Sequence, residues 1–395
     1  MKILMVNKFL YPKGGAETYA LKLGEILKKN GHQVQYFGMR DERNTVGNDA
    51  DALASSMDFQ AGIKKNLAAP LRIIYNADAR RQIRKVLEDF CPDVVHLNNI
   101  QFHLTPSIIL ETHAYRKRTG RKVNIVYTAH DYQLVCPSHG LFDTQLNVCE
   151  KCLGGSYVHC LKTKCVKNSY GKSLLGMMDA YAWKWLPAYD YVDTIICCSR
   201  FLKSKLDTQR RLRGKTVAIH NFTDDKPRYI AEKKGYVLEF GHLSKDKGTL
   251  TLLEVSKRMP ETRFVFAGYG AAVEEIKKQP NADYVGFVHG EELEMLIRRA
   301  AVSVCPSECF ENCPFSVIES QMYGTPVVGS DMGGIPELIR PGKTGEIFEA
   351  GNADDLQEKL RCVLDHQTAY TENCLQVQFE TPESYYQKLM GVYTK

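Results

Sequence analysis

The chain has 395 residues, 44% of them hydrophobic and 25% charged, an ordinary globular composition that at roughly 150 residues per domain implies two domains and excludes disorder or collagen-like repetition. The net charge of +6 conceals an asymmetry: residues 1–222 hold 33 Lys and Arg against 19 Asp and Glu, whereas residues 223–395 hold 19 against 27, so the amino-terminal half favours anionic partners. No apolar run reaches the roughly 18 to 20 residues of a membrane span, and the opening MKILMVNKFLYP has no small-residue cleavage site, which leads us to expect a cytoplasmic chain without a transmembrane helix.

Residues 2–9 are a continuous apolar-rich run, YPKGGAE supplies a turn at Gly14 and Gly15, and AETYALKLGEILKKNG repeats apolar positions at three and four. That reads as strand, glycine loop and helix. Comparable strand runs follow at 33–40, 93–99, 123–131, 194–199 and 216–222, with helical material between most of them. Residues 58–90 read as amphipathic helices with clustered Lys and Arg. After DDKPRYIAEKKG (224–235), a charged Pro-containing linker, the alternation restarts with YVLEFGHL, TRFVFAGYG, ADYVGFV, VSVCPS and TPVVGSD. Buried β-branched runs alternating with helices specify parallel, doubly wound sheets. The expected fold is therefore α/β, two tandem Rossmann-like domains facing a cleft between their carboxyl edges. We place the boundary so that residues 1–222 plus 378–395 form one domain and 223–377 the other, with the final helix crossing back.

Cysteines in a reducing compartment stay thiols unless a metal or a mechanism uses them. Cys136, Cys149, Cys152, Cys160 and Cys165 fall in one segment, near 136–186, that interrupts the α/β pattern. Its C-x-x-C knuckle with two further cysteines suits four thiolates around a structural zinc, with His139 and His159 as imidazole alternatives. Buried free thiols are the competing reading, and an iron–sulfur cluster is less favoured. Asp49-x-Asp51 has the form of a metal-binding acid pair, but it sits in a polar loop with no adjacent apolar strand, which favours chance.

The strongest signal is PSECFENCPFSVIESQMYGTPVVGSDMGGIPE (306–337). Glu311 lies in a loop after a strand, and the following helix carries Glu319. Amides at that helix start can hold an anion such as a diphosphate without a metal, and the two carboxylates can address hydroxyls on either side of it. FGHLSKDKG (240–248) places Lys247 at a second strand-to-helix turn, where an ammonium can neutralise a departing diphosphate. His130 ends the 123–131 strand at its carboxyl edge, while His96 and His103 are weaker candidates that suit either the core or an acceptor side. There is no G-x-G-x-x-G after the first strand, no Walker sequence and no nucleophile elbow, which removes the main support for dehydrogenase, kinase and hydrolase readings.

The 306–337 stretch resembles the Glu-x7-Glu signature of the family 4 retaining glycosyltransferases, and the likeness extends through GTPVV and GGIPE. The resemblance implies a GT-B architecture and a metal-independent transfer with no catalytic cofactor. It implies that Glu311 contacts the donor sugar near its 3-hydroxyl, that the backbone of Asn312, Cys313, Pro314, Phe315 and Ser316 cradles sugar and β-phosphate, and that Glu319 holds the ribose. It places His130 near the anomeric centre and the Gly14–Gly15 loop against donor phosphates and acceptor. Lys247 matches the family's lysine, whereas His242 stands where arginine is usual. The implied partners are a nucleotide-diphosphate sugar and a saccharide or lipid-linked acceptor of surface polysaccharide biosynthesis; the charge composition of the basic half adds an anionic membrane surface, and no nucleic acid is expected. The alternatives are a GT-B epimerase or phosphorylase and a catalytically silent sugar-nucleotide-binding or scaffold subunit.

Overall fold

The computed structural model describes residues 1–56, 69–224 and 228–395. Within the expected 58–90 helical region, the described helices are Ala69–Ile74 and Ala77–Phe90; residues 57–68, and 225–227 of the expected linker, lie outside the described set.

The first sheet is built from β1 (Lys2–Val6), β2 (Gln33–Phe37), β3 (Val94–Leu97), β4 (Asn124–Ala129), β5 (Thr194–Cys197) and β6 (Thr216–Ala218). They are parallel, in the order β2-β1-β3-β4-β5-β6. Helices on both faces explain why Ile3, Leu4, Met5 and Val6 are all buried in succession rather than alternating. The second sheet comprises β7 (Tyr236–His242), β8 (Arg263–Tyr269), β9 (Ala282–Gly286), β10 (Val302–Cys305), β11 (Val327–Ser330) and β12 (Gly345–Phe348), ordered β12-β11-β10-β7-β8-β9. Eleven of these strands coincide with runs read from the sequence. β12 does not: GEIF is four residues following a Pro341–Thr344 turn, too short and too polar to show a strand pattern by itself, and it is specified by pairing with β11.

Each sheet reverses direction of growth once. In the first the chain leaves β1 for β2 and then returns to β3 on the other side; in the second β10 returns beside β7. Such switch points open a crevice outside the strand carboxyl ends, where ligands bind. Gly14, Gly15 and Asn98 follow β1 and β3, and Lys247 and Glu311 follow β7 and β10.

The helix Pro382–Tyr393 starts with a Thr381–Ser384 capping box and buries Tyr385, Leu389, Val392 and Tyr393 in a cluster with Ile3, Met5 and Tyr19 of the first sheet region. Each such side chain contributes roughly 1.5–3 kcal/mol on burial. Polar contacts fix its register: Asn124 Nδ2 donates to the carbonyls of Val392 and Tyr393 at 3.1 and 3.2 Å. His96 belongs to this joint. Its ring is fully buried, with Nδ1 2.5 Å from the Tyr393 hydroxyl and Nε2 2.7 Å from Thr128 Oγ1, and burial pushes its pKa down to about 3. Of the two roles open to His96, the core one is realised. Among the described residues no helix is long and apolar enough to cross a membrane.

Candidate functional site

The crevice between the two sheets holds a cleft of about 440 Å3 whose walls include Gly15, His130, Glu311, Asn312, Cys313 and Phe315. Its carboxyl-terminal wall is assembled by glycines. A Cβ on Gly248, which has φ +76°, would lie 1.8 Å from the Pro306 carbonyl oxygen; one on Gly333, at φ +68°, 2.1 Å from that of Glu311; and one on Gly334 1.8 Å from that of Asn312. Three backbone segments from distant parts of the sequence can therefore touch only because these positions lack side chains. The Gly334 amide donates to the Glu311 carbonyl at 2.6 Å, so the GG pair sets the height of the Glu311 loop.

That packing brings Lys247 Nζ to 2.5 Å from Glu311 Oε1. Glu311 also accepts from Ser307 Oγ at 3.4 Å. Desolvation works against the Lys247 ammonium, but the Glu311 carboxylate and the Cys309 sulfur hold its pKa above the ordinary lysine value. Both side chains retain exposure, 30% and 22%, so a ligand in the cleft reaches them. Next to them the helix Phe315–Met322 begins after Pro314 with no side-chain cap, and the Phe315 and Ser316 amides meet no acceptor among the described residues. Uncapped amides plus a lysine make an anion-binding corner. The carboxyl of Glu319, one turn into that helix, has no hydrogen-bond partner among the described residues; burial pushes it up to about 7, moderated by Lys22 of the facing domain.

Across the cleft, His130 Nε2 lies 3.0 Å from Asn98 Oδ1. Asn98 Nδ2 faces the Val6 carbonyl at 3.4 Å, which assigns its oxygen toward the imidazole, so Nε2 donates and Nδ1 is left as the acceptor. Burial, with Lys8 adding to it against Asp131, lowers the His130 pKa to about 4, and the ring is neutral at pH 7. Asn312 Nδ2 donates to the His130 carbonyl at 2.9 Å, tying the two walls together, while Asn312 Oδ1 is buried without a partner among the described residues. Gly15 lines the cleft, and a Cβ added there would meet nothing within 4 Å, whereas one on Gly14 would meet Glu17 at 3.2 Å; open space beside the backbone is thus found at Gly15.

Other candidate residues are not among the walls of this cleft. His242 is exposed, and its ring packs edge-on against Tyr269 at 5.3 Å. His103 packs against Phe9. Asp49 accepts from Gln35 Nε2 at 2.6 Å while Asp51 points to Arg40 and is 85% exposed, so these two acids do not converge. In the cysteine segment, the Cys160 and Cys165 sulfurs are hydrogen-bonded 2.9 Å apart; the Cys160 thiol beside it brings Cys165 down to about 7 against desolvation. Cys136 and Cys152 are near enough to act electrostatically on Cys160, and Cys149 on Cys152. Even so, no group of three or more His, Cys, Asp or Glu among the described residues is arranged to hold a metal ion. The thiols gather without closing into a cage.

The sequence reading missed the Glu337 clamp. Glu337, at the end of GGIPE, accepts from the Arg200 and Phe201 amides at 2.9 and 2.6 Å and lies 3.0 Å from His220 Nε2. Desolvation opposes its charge, but His220 and the two amides keep its carboxyl below the ordinary range. No local signal in the sequence pairs positions 220 and 337; the glycines before Glu337 were the available cue.

Comparisons with known proteins agree with this geometry. Residues 13–226 match the family described as Glycosyltransferase Family 4, and residues 221–376 match Glycosyl transferases group 1. The chain belongs to the first, whose match spans more than half of it. It is 35% identical over 174 residues to Sulfoquinovosyl transferase SQD2 of Arabidopsis thaliana, covering 40% of this chain and 33% of that protein, so it spans about one third of that relative's length. With the glycosyltransferase MJ1178 of Methanocaldococcus jannaschii it shares 22% identity over 287 residues, 68% of this chain and 81% of the relative. Among solved structures, the lipopolysaccharide outer core galactosyltransferase WaaB superposes with a TM-score of 0.67 at 17% identity, covering 100% of this chain and 99% of that one. HepE of Anabaena in complex with UDP-glucose gives 0.64 at 16% identity, covering 100% and 99%. At these identities the structural likeness establishes the GT-B fold.

Proposed function

We propose that this member of glycosyltransferase family 4 moves a sugar from a nucleoside-diphosphate sugar to a saccharide or lipid-linked acceptor of a surface polysaccharide, with retention of anomeric configuration and without a catalytic metal. The observation that carries the reading is the Lys247–Glu311 ion pair beside an uncapped helix start, set opposite a neutral His130. HepE, of the same fold, holds UDP-glucose, and WaaB is a galactosyltransferase of lipopolysaccharide; both support a nucleotide-sugar donor and a glycan acceptor.

In this reading the diphosphate sits on the Phe315 and Ser316 amides with Lys247 alongside. The bond from C1 to the phosphate oxygen breaks toward that corner, where the growing charge is met by donors already in place. The acceptor hydroxyl adds to C1 from the same face, and its proton passes to an oxygen of the departing diphosphate, so no protein nucleophile is consumed. Glu311, positioned by its ion pair with Lys247, accepts from a hydroxyl of the transferred sugar. Glu319 accepts from the ribose. Neutral His130 offers Nδ1 to a sugar hydroxyl near C1 without adding charge beside the reacting centre. Transfer in excess EDTA, with the product anomer read by proton NMR, tests this: retained configuration and undiminished rate are expected, while inversion or strict dependence on Mg2+ or Mn2+ would overturn it.

Two ancillary proposals accompany it. The 33 Lys and Arg against 19 Asp and Glu of residues 1–222 support docking on an anionic membrane surface, measured as salt-sensitive sedimentation with phosphatidylglycerol vesicles. The gathered thiols support a structural zinc on four of Cys136, Cys149, Cys152, Cys160 and Cys165, which would require their side chains to close around it. One zinc per chain is expected by metal analysis, and five freely titratable thiols without metal would overturn it.

A further inference from the structure

Behind the cleft, on the amino-terminal domain, lies a second cavity of about 310 Å3, at the small end of the range for ligand pockets. One wall is the helix Tyr170–Trp185 of the cysteine-containing segment, which contributes Asp179 and Trp183. These stand four residues apart on one helix face, and Trp183 Nε1 donates to Asp179 Oδ1 at 3.0 Å. Asp179's other oxygen has no partner among the described residues, although burial pushes this carboxyl up to about 7 against the opposing effects of Trp183 and His139.

Several donors in the walls are already committed, while Arg210, an exposed lining residue, has no partner among the described residues. Gln101 Nε2 donates to the Tyr189 hydroxyl at 2.5 Å, Gln133 Nε2 to Tyr127, and Lys184 Nζ to the Gly155 carbonyl at 2.7 Å. Arg211 is held by the carbonyls of Trp183 and Leu186 and by Asp190. What remains available is an acceptor inside, Asp179 Oδ2, and a donor in the exposed Arg210 guanidinium, with Trp183, Tyr157 and Phe102 in the walls. A ligand that donates to the one, accepts from the other and presents apolar faces fits, as the hydroxyls and CH faces of a neutral hexose ring do.

The cavity is also joined to the cleft. His139 stacks on Phe102 at 5.2 Å and 11° in its wall, and the same imidazole reaches Asp131 Oδ2 at 3.6 Å, a residue of the cleft wall. Phe102 and His139 adopt left-handed backbone conformations, φ +62° and +71°, which carry a strain of order 1–2 kcal/mol each. The fold maintains this stacked pair at that cost in the wall of the second cavity.

We propose that this cavity is a binding site for a neutral hexose unit of the acceptor, with Asp179 accepting from its hydroxyls and the aromatic walls meeting its CH faces. It rests on the transfer reading above only for the word acceptor; saccharide binding itself is separable from transfer. The chain has two tryptophans, and Trp185 is 74% exposed, so Trp185→Phe leaves Trp183 as the sole indole reporter inside the site. Methyl β-glucoside, methyl β-galactoside, methyl β-N-acetylglucosaminide and, as an anionic comparison, methyl β-glucuronoside are titrated against this variant without donor. A saturable change in Trp183 emission with a neutral glycoside is expected, weakened about tenfold by Asp179→Asn, which keeps the shape and the bond from Trp183. The Asp179→Asn enzyme should raise the acceptor KM by a similar factor while hydrolysing donor alone at the wild-type rate. Binding unaffected by Asp179→Asn, binding of the glucuronoside alone, or no saturable response to any glycoside would overturn the proposal. A chain that transfers no sugar yet titrates as expected would overturn the transfer reading and leave this site standing.

Discussion

The Glu311 loop and the cysteine segment solve the same problem, placing side chains from irregular backbone, by opposite means. Around Glu311 the close approaches are made at Gly248, Gly333 and Gly334, where a side chain would strike a carbonyl oxygen. Between 136 and 168 glycine takes positive φ only at Gly154 and Gly155, and six further left-handed positions are taken by His139, Leu141, Leu146, Lys164, Lys167 and Asn168, residues for which that conformation is costly. The first region is a backbone contact that glycine makes cheap; the second is a strained loop system held by its side chains, including Phe102–His139 stacking and the Cys160–Cys165 contact.

The sharpest way to break this contrast is Gly334→Ala. Its methyl would press on the Asn312 carbonyl, 1.8 Å from the ideal position, and on Ser199, and neither backbone nor domain joint can yield independently. We expect destabilisation of at least about 2 kcal/mol by denaturant unfolding and a loss of transfer beyond about 100-fold, since misplacing the reacting geometry by about 1 Å costs that much. Gly15→Ala is the counterpart: with nothing within 4 Å, its stability should stay within about 0.5 kcal/mol of wild type. Equal damage from both would remove the distinction between packed and open glycines.

This contrast also decides how much could be read in the sequence. Fold class and eleven strands are legible because buried parallel strands leave long apolar runs. Lys247, Glu311 and the GGIPE glycines are legible because glycine and proline punctuate a site made of backbone. Glu337 and His220 are not, because their contact joins residues 117 positions apart and each is locally unremarkable. Asp179 is hidden for a similar reason: a lone acid on an amphipathic helix reads as solvated until the cavity around it is known. His242 illustrates the converse, a motif position that turns to Tyr269.

A smaller effect concerns pH. Glu319's carboxyl lies at about 7 in the folded chain, above its ordinary 4.5, so the folded state holds this proton longer than the unfolded one. The stabilisation linked to that proton is present below pH 4.5 and is lost as pH rises through about 7. Relative to Glu319→Gln, the wild-type chain should lose stability across that interval in thermal unfolding. Donor affinity should move the other way, rising up to about tenfold from about pH 6 to 8 as the carboxylate forms, and it should be flat in Glu319→Gln.

The smallest expected change sharpens the comparison from its strained side. Lys167→Gly relieves a left-handed lysine at φ +51° and should raise stability by up to about 1 kcal/mol, the strain relieved less the entropy glycine loses on folding. A destabilised variant would show that the Lys167 side chain contributes more than its backbone costs.

The central claim, that the glycine-built corner holding Glu311 is where sugar transfer occurs, is tested most directly by Glu311→Gln with turnover and nucleotide affinity measured on the same preparation. The substitution keeps the side chain's size but removes the charge that pairs with Lys247 and that we propose meets the transferred sugar. We expect kcat to fall by about 100-fold or more while the nucleotide Kd stays within about threefold. Near-normal turnover, or a loss of nucleotide binding that alone accounts for the loss of rate, would contradict it.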